Sequence, residues 1–445
     1  MEALKNHKSI IDGYKKFLKS FFTIADPRIK EKVEKELNNN SYLPEPLIQF
    51  NPSYKRGQSL SEFPPQEIHA ELQNILGSYT LYHHQIEAIR KGVEGQGFIV
   101  TSGTGSGKSL TFLTTIFNDI LQRPQEKGIR AIIVYPMNAL INSQEEEIMK
   151  YEINYLTSGL PAGVRSQQTK STLPEQLKEL RTLSNKTFPI TYRRYTGQED
   201  EASKKDIREQ QPHIILTNYM MLELIMTRYE EREMREKLAE SLRYLVFDEL
   251  HTYRGRQGSD VSMLIRRIKN RCHHPLITIG TSATMSSEGT AEDKKTAIAK
   301  VANLIFDEKY SMEQIIGEKL DTSTNYEGIN PGKDILSQAI FQPISTVADA
   351  SVFRHHPLAI WLETNIALHK NEQGDFERGK PLPLTQIATQ LSKASGESYE
   401  DCLHTMEQLL NWIEHLNIKG AKKLPENLIY PSKSINSFRR PAPSK

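Results

Sequence analysis

The length, composition and charge of this chain exclude several classes of protein. Its 445 residues are 37% hydrophobic and 25% charged, with a net charge of +2, as expected for a globular protein of two or three domains. So small a net charge does not itself indicate nucleic acid, and any such contact must rest on a local basic surface. Cys272 and Cys402 form neither a zinc-ligand spacing nor a disulfide framework. No apolar run is long enough to span a membrane, so a cytoplasmic protein without membrane contact is expected.

The first 70 residues predict a helical extension followed by a linker. Residues 1–40 carry an apolar stripe at helical spacing, which we expect to pack on the next domain; it includes Ile10, Tyr14, Phe17 and Phe21. Residues 41–70 are rich in Pro, Ser, Asn and Gly, a composition typical of a linker.

Residues 71–300 are predicted to form an α/β domain around a parallel sheet. Short apolar runs recur here, as in strands buried on both faces. The runs are Phe98–Thr101, Ala131–Tyr135, His213–Thr217, Tyr244–Phe247 and Leu276–Ile279. Amphipathic helical patterns separate them, and this alternation indicates a doubly wound sheet. The polar stretch 161–187 is expected to be a surface insertion.

The C-terminal third predicts a second, helical domain. A helical linker is expected over 301–353, and 354–430 carries three helical patterns, namely Pro357–Leu368, Leu384–Leu391 and a third from Tyr399 to Leu416. A turn at Gly420 and a short apolar strand, Leu428–Tyr430, follow. Three helices and a β-wing predict a winged-helix-like domain, with a polar tail over 431–445.

A glycine-rich motif lies between the first buried run and an amphipathic helix. It reads TSGTGSGKS over 101–109, and this context is the one that a phosphate-binding loop requires. Its glycines allow a tight turn that points backbone N–H groups at phosphate oxygens. Ser102 stands where the strict pattern has glycine, and a residue this small is expected to be tolerated. The predicted nucleotide-binding residues are Thr104, Gly105, Ser106, Gly107, Lys108, which contacts the β and γ phosphates, and Ser109, which ligates Mg²⁺.

An acidic pair follows another buried run. Asp248 and Glu249 come directly after Tyr244–Phe247, so they are expected at the sheet edge that carries the phosphate loop. Asp248 is predicted to hold Mg²⁺ through water. Glu249 is predicted to activate the attacking water as general base. His251 is a candidate coupler between this site and neighbouring motifs.

The phosphate loop, the DELH segment 248–251 and the TSAT segment 281–284 together resemble superfamily 2 helicases of the DEAD/DEAH-like group. The resemblance implies a RecA-like domain that binds and hydrolyses ATP with Mg²⁺. It also gives Ser282 and Thr284 the role of linking hydrolysis to strand movement. Gln85, within LYHHQIEAI, matches the glutamine that recognises adenine, whose amide can bond the base edge in two directions. The alternative is that Gln85 is an exposed residue of a surface helix.

Three further segments match nucleic-acid-contacting motifs of that group. They are YPMNALINSQ, YTG and LTNYMMLE, and each follows a predicted strand. Strand ends of this kind lie at the same sheet edge as the ATP site. Short polar and turn-forming residues hold phosphates without reading bases. The predicted contacts are Pro136, Asn138, Gln144, Thr196, Gly197, Thr217 and Asn218.

The stretch from Leu245 to Ile268 most resembles the MrfA/YprA branch of large bacterial repair or phage-defence helicases. That resemblance favours DNA as the partner, although backbone-contacting motifs alone leave DNA and RNA open. A complete motor also has a second RecA-like lobe, whose arginines stabilise charge on the γ-phosphate. No such arginine motif follows residue 300, so we expect an incomplete motor that lacks the second lobe, which a further chain could supply as a partner. A non-catalytic nucleic-acid-binding remnant and one subunit of a split motor are the alternatives.

The basic residues after the DELH segment have two interpretations. They include Arg254, Arg256, Arg266, Arg267, Lys269 and Arg271. One interpretation is a surface that contacts a nucleic-acid strand. The other is the solvated face of a helix that buries its apolar side.

Overall fold

The computed structural model describes residues 2–21, 24–38, 45–77, 79–103, 105–160, 172–283, 291–342, 350–371 and 374–418. The chain divides into two compact units. The first in chain order combines Met1–Ser53 with Lys319–Lys445, and the second is Tyr54–Glu318. We call the second the sheet unit and the first the helical unit.

The described residues form helices in both units, and within the sheet unit the helices alternate with the strands. In chain order they are α1 Glu2–Phe21, α2 Pro27–Asn38, α3 Glu71–Leu76, α4 His83–Val93, α5 Lys108–Gln122, α6 Asn138–Ser158, α7 Leu173–Leu183, α8 Glu201–Gln210, α9 Tyr219–Thr227, α10 Arg232–Ser241, α11 Gly255–Arg271, α12 Ala291–Phe306, α13 Lys333–Phe341, α14 Ala350–His355, α15 Pro357–Leu362, α16 Leu384–Ser395 and α17 Tyr399–Ile418. Short 3₁₀ turns occupy Leu60–Glu62, Leu250–Thr252 and Met312–Gln314, and a π-helical turn covers Glu363–Ala367.

The strands are short, and the longest of them belong to the sheet unit. They are β1 Leu47–Ile48, β2 Ser53–Tyr54, β3 Arg56–Ser59, β4 Thr80–Tyr82, β5 Phe98–Thr101, β6 Ala131–Tyr135, β7 Tyr192–Arg194, β8 Ile214–Asn218, β9 Tyr244–Phe247, β10 Ile277–Ser282, β11 Ile315–Gly317, β12 Leu320–Asp321, β13 Leu368–Lys370, β14 Phe376–Arg378 and β15 Leu382–Pro383.

A seven-stranded sheet with the order β11-β5-β10-β9-β6-β8-β7 forms the centre of the sheet unit. Every neighbouring pair in it is parallel. Its central strands bury both faces, because each residue of β5, β6 and β9 is buried. One apolar core lies on each face. This is the RecA-like helicase fold, and it confirms the predicted α/β class.

The two outermost strands are not among the five predicted apolar runs, although a strand was expected directly before Tyr195. The edge strand β7 contains Arg193 and Arg194 and therefore lacks an apolar run. At the other edge, β11 is only three residues long. Both are recognised by pairing with a longer neighbour and not by their own sequence.

The sheet unit extends beyond the predicted limits of 71–300. On the N-terminal side, Leu60, Phe63 and Ile68 join its core. On the C-terminal side, β11 pairs with β5. The expected linker 301–353 therefore starts too early, because its first part closes one edge of the sheet. Within the expected insertion 161–187, α7 buries Leu177 and Leu180.

The helical unit contains the predicted helices and one hairpin that was not predicted. β13 and β14 pair antiparallel between α15 and α16. The core lies around Trp412, whose ring meets that of Phe353 edge-on at 5.1 Å. The winged-helix interpretation stays a prediction, since Gly420, the strand Leu428–Tyr430 and the tail 431–445 lie outside the described residues.

The N-terminal helix α1 forms as predicted, and two aromatic residues of its apolar stripe are exposed. Phe17 and Phe21 are 58% and 70% exposed. Among the described helices, none combines the length and hydrophobicity that crossing a membrane requires.

Candidate active site

The phosphate loop connects β5 to α5, at the carboxyl edge of the sheet. Gly105 and Gly107 have left-handed backbones, with φ of 78° and 71°, a conformation that glycine adopts without a steric penalty. A Cβ on Gly107 would also lie 2.5 Å from Gln85 Nε2. Thr104 lies outside the described residues. The loop therefore depends on glycine for its turn and for the close approach of its neighbour.

Lys108 is the first residue of α5 and is buried. Its Nζ donates to the Ser102 carbonyl at 3.0 Å and lies 3.8 Å from Glu249 Oε1. The Ser102 hydroxyl is 2.5 Å from that of Ser106, so the serine at the first position of the motif is accommodated inside the loop. The ammonium group is thus held beside the loop by oxygen atoms, which is where a phosphate-binding lysine is required.

Gln85 and His84, on α4, support the loop from outside. Gln85 Nε2 donates to the carbonyls of Ser106 and Gly107 at 3.2 Å each, and Gln85 Oε1 accepts from the Tyr82 N–H at 2.9 Å. Gln85 is buried, which contradicts the alternative of an exposed surface residue. His84 Nε2 donates to the Ser106 carbonyl at 3.2 Å. Burial lowers the pKa of His84 to about 4, so this ring is neutral at physiological pH.

Asp248 is placed by the register of two central strands. Phe247 of β9 pairs with Gly280 of β10, so Asp248 comes beside Thr281. The Thr281 hydroxyl donates to Asp248 Oδ1 and accepts from the Glu249 N–H at 3.1 Å. Burial raises the pKa of Asp248 to about 6, although the hydrogen bond from Thr281 opposes this effect. A buried carboxylate of this kind favours a nearby cation.

Glu249 lies between the phosphate loop and the TSAT segment. Its backbone is left-handed, with φ of 53°, a sparsely populated conformation that is often found at functional sites. Oε1 faces Lys108, and Oε2 lies 3.1 Å from His251 Nδ1. His251 Nδ1 is 3.4 Å from the Ser282 hydroxyl. His251 therefore contacts Glu249 of its own segment and Ser282 of TSAT, while Thr284 lies outside the described residues.

The oxygen atoms at this edge fit Mg²⁺. Asp248 and Glu249 offer carboxylate oxygens, and Ser109 a hydroxyl, and such hard donors are those that Mg²⁺ prefers. Within the described ranges no cluster of three or more His, Cys, Asp or Glu side chains could hold a metal alone. Mg²⁺ here would therefore be held by few protein oxygens together with water and phosphates, which is its usual mode at nucleotides.

Three contributors to the site were missed by the sequence reasoning. Thr281 stands at the start of TSAT, and its contact follows from the strand register. His84 could have been noticed as a histidine within an otherwise apolar helix face. Glu318 accepts from the Gly103 N–H at 3.0 Å, and no motif indicated it, because its position depends on the unpredicted strand β11.

The segments predicted to contact nucleic acid meet at the carboxyl ends of β6, β7 and β8. Asn218 Nδ2 donates to Asn138 Oδ1 at 2.9 Å. The hydroxyl of the fully buried Thr217 donates to the Tyr195 carbonyl at 2.6 Å. The Thr196 N–H and hydroxyl both donate to Glu199 Oε2 at 2.6 Å.

The other members of this group differ in exposure. Gly197 is exposed and Pro136 is half-buried, whereas Gln144 is buried with its Nε2 unpaired. The structure therefore gathers all three segments at one edge but leaves only part of the set open to solvent.

Three of the five basic residues of α11 are paired with acidic neighbours. Arg267 bonds to Glu223. Arg266 lies 3.2 Å from Asp307, and Lys269 lies 2.9 Å from Glu308. These pairs favour the solvated helix face over a strand-binding surface for this part of the cluster.

The sheet, the loop and the acidic pair together define a RecA-like lobe of the P-loop type. The family model for the DEAD/DEAH box helicase matches residues 82–180 and 166–293, so this part of the chain is a DEAD/DEAH helicase domain. The resemblance inferred from the motifs is therefore confirmed.

Two curated relatives and one solved structure illustrate the similarity. Druantia protein DruE of Escherichia coli is 25% identical, over 64% of this chain and 20% of DruE. YprA of Bacillus subtilis, described as an uncharacterized ATP-dependent helicase, is 29% identical, over 50% of this chain and 26% of YprA. The crystal structure of the DUF1998 helicase MrfA bound to DNA and AMPPNP is 22% identical over 62% of this chain and 33% of MrfA, with a TM-score of 0.41. The similarity to YprA is consistent with the MrfA/YprA-like branch. The chain spans about a quarter or less of the curated relatives.

Proposed function

We propose that the sheet unit is the ATP-binding and ATP-hydrolysing lobe of an ATP-dependent helicase or translocase. The observation that carries the proposal is one chain of contacts at the sheet edge. Thr281 bonds to Asp248 and to the backbone of Glu249, and Glu249 in turn faces Lys108 of the phosphate loop. These are the parts that hydrolysis of a nucleoside triphosphate needs, in contact and in order.

Each side chain has a distinct role in this mechanism. The Lys108 ammonium exchanges the Ser102 carbonyl for phosphate oxygens and balances their charge. Glu249 takes a proton from the attacking water on a carboxylate oxygen, and His251 lies beside the other oxygen. Asp248 and Ser109 would hold Mg²⁺, which neutralises the phosphates when bound. Gln85 stabilises the loop and is proposed to recognise adenine.

The second part of the proposal is movement on nucleic acid, with DNA as the favoured partner. Asn138, Gly197 and Asn218 are proposed to hold the strand by its phosphates. Thr196, Thr217 and Gln144 support these loops from inside. We further propose that a second RecA-like lobe supplies arginines to the ATP site, a contribution worth a factor of about 10³ to 10⁵ in rate, and that the protein acts in the cytoplasm.

ATP hydrolysis by the purified chain tests this function. The rate is measured alone, with single-stranded DNA and with single-stranded RNA of matched length. Lys108→Ala is the test variant, and we expect a fall of about 10²- to 10³-fold. Lys127→Ala, which changes an exposed lysine, is the control and should match the wild type.

The outcomes separate the alternatives. Hydrolysis that rises with DNA and is lost only in Lys108→Ala supports the motor lobe. ATP binding without hydrolysis in any mixture supports a lobe that awaits its partner, and the second lobe can then be added in trans. Strand binding without ATP binding contradicts the proposal and indicates a non-catalytic nucleic-acid-binding protein.

A further inference from the structure

A carboxylate from outside the phosphate loop occupies one of its backbone donors. The Gly103 N–H donates to Glu318 Oε2 at 3.0 Å. Glu318 directly follows β11, and Gly317 pairs with Thr101 where β5 enters the loop. The Thr101 hydroxyl also donates to the Ile316 carbonyl at 3.3 Å. The position of Glu318 is therefore set by the pairing of β11 with the strand that carries the loop.

The contact uses a backbone donor of the phosphate loop, the type of group that binds phosphate oxygens. Backbone N–H groups of a phosphate loop bind anionic oxygens, and a carboxylate oxygen resembles a phosphate oxygen in charge and acceptor strength. Two anions at one N–H repel each other. A triphosphate that bonds to the Gly103 N–H therefore competes with Glu318 for it.

We propose that Glu318 is an internal competitor for the phosphates of the nucleotide, displaced when ATP binds. This rests on the proposed function, because it requires ATP in the loop. The sheet unit ends at Glu318, and Lys319 is the first residue of the following segment. Displacement of Glu318 thus changes the contacts of the last residue of the sheet unit.

Nucleotide affinity is the quantity that tests the competition. Hydrogen bonds to charged groups are among the stronger ones in proteins, so removing this competitor is expected to tighten ATP binding about tenfold. Two substitutions of Glu318 distinguish the effect of its contact with Gly103 from the effect of its negative charge. Glu318→Gln removes the charge, whereas Glu318→Asp keeps the charge and shortens the side chain by one methylene, so that it no longer reaches Gly103.

The experiment is a calorimetric titration of ATP with Mg²⁺, and of adenosine, into the wild type and four variants. The variants are Glu318→Gln, Glu318→Asp, Lys108→Ala and Glu313→Gln. Glu313 lies on the same segment and pairs with Lys91, so it is the matched control. Circular dichroism melts confirm that each variant is folded.

The expected result is tighter ATP binding in both Glu318 variants, unchanged adenosine binding, and a wild-type value for Glu313→Gln. If Glu318→Gln binds ATP no tighter than the wild type, the competition does not exist. If only Glu318→Gln gains affinity, the effect is charge alone, and displacement is contradicted. In both cases loss of ATP binding in Lys108→Ala leaves the proposed function standing. If no variant binds ATP, or Lys108→Ala binds it normally, the proposed function itself is wrong.

Discussion

Polar side chains make different kinds of contact in the two halves of the carboxyl edge of the sheet. At the carboxyl ends of β5, β9 and β10, charged groups face one another, as Lys108 faces Glu249 at 3.8 Å. At the carboxyl ends of β6, β7 and β8, side chains mostly tie one loop to another, as the Thr217 hydroxyl bonds to the Tyr195 carbonyl. The first half is built to act on a small, highly charged ligand. In the second half, most polar side chains hold the loops in place. Backbone groups and a few exposed side chains are then available to contact a partner.

Among the substitutions that test this comparison, Glu249→Gln is expected to have the largest effect on ATP hydrolysis. This change removes the proposed general base while keeping the shape of the side chain, so hydrolysis should fall about 10²- to 10⁴-fold with ATP affinity retained. Single-turnover hydrolysis and nucleotide titration measure the two quantities. Glu240→Gln, on the exposed face of α10, serves as the control. An unchanged hydrolysis rate would remove Glu249 from the mechanism.

Thr281→Val tests whether the contacts around Asp248 matter for catalysis. The valine cannot bond to Asp248 or Glu249, and leaving such buried groups unpaired costs about 1–3 kcal/mol. We expect a similar loss in transition-state stabilisation, seen as a lower kcat. Thr278→Val is the control on the same strand, because Thr278 bonds to Glu308 and Tyr310. Equal effects of the two changes on kcat would show that Thr281 acts only through stability.

His84 predicts a pH dependence of stability. Its pKa falls to about 4 on folding, so the unfolded chain takes up the proton first as pH falls below about 6.5. The stabilisation is complete above pH 6.5 and is lost progressively towards pH 4, with about 1.4 kcal/mol lost by pH 5.5. Urea denaturation of wild type and His84→Asn at pH 7.5 and 5.5 measures it. A difference between the two pH values that is the same in both proteins would exclude His84 as the cause.

Asn218→Ala tests whether the half of the sheet edge at β6, β7 and β8 contacts nucleic acid. Asn218 caps α9 through the Met221 N–H at 2.9 Å and bonds to Asn138, so the change should cost about 1 kcal/mol of unfolding free energy. If the residue also holds a strand, affinity for single-stranded DNA should fall, whereas Asp200→Ala, at another helix cap, should leave it unchanged. Fluorescence anisotropy with labelled DNA measures the affinity. Equal affinity in all three proteins would limit Asn218 to capping.

Arg267→Ala is expected to have the smallest effect of these substitutions, and the quantity measured is the affinity for DNA. Its guanidinium is paired with Glu223 on the protein surface, and exposed pairs contribute about 0–1 kcal/mol. Affinity for DNA and its salt dependence should therefore stay close to wild type. A clearly smaller salt slope would show that the α11 face contacts phosphates after all.

The sequence by itself determined the parts of this protein that local patterning specifies. The apolar runs of the five predicted strands, the glycine-rich turn and the acidic pair after β9 each reflect a requirement met within a few residues. Lys108, Asp248 and Glu249 could be named for that reason. The motif order also sufficed to recognise the DEAD/DEAH box helicase family.

Only the tertiary structure decided which side chains meet across the sheet. The contact of Thr281 with Asp248 follows from the register of β9 and β10, and that of Glu318 with Gly103 follows from a three-residue edge strand far along the chain. The pairing of Arg267 with Glu223 likewise joins α11 to α9. Such contacts join residues distant in sequence, and no local pattern encodes them, because parallel strands bring their ends together only when the whole sheet forms.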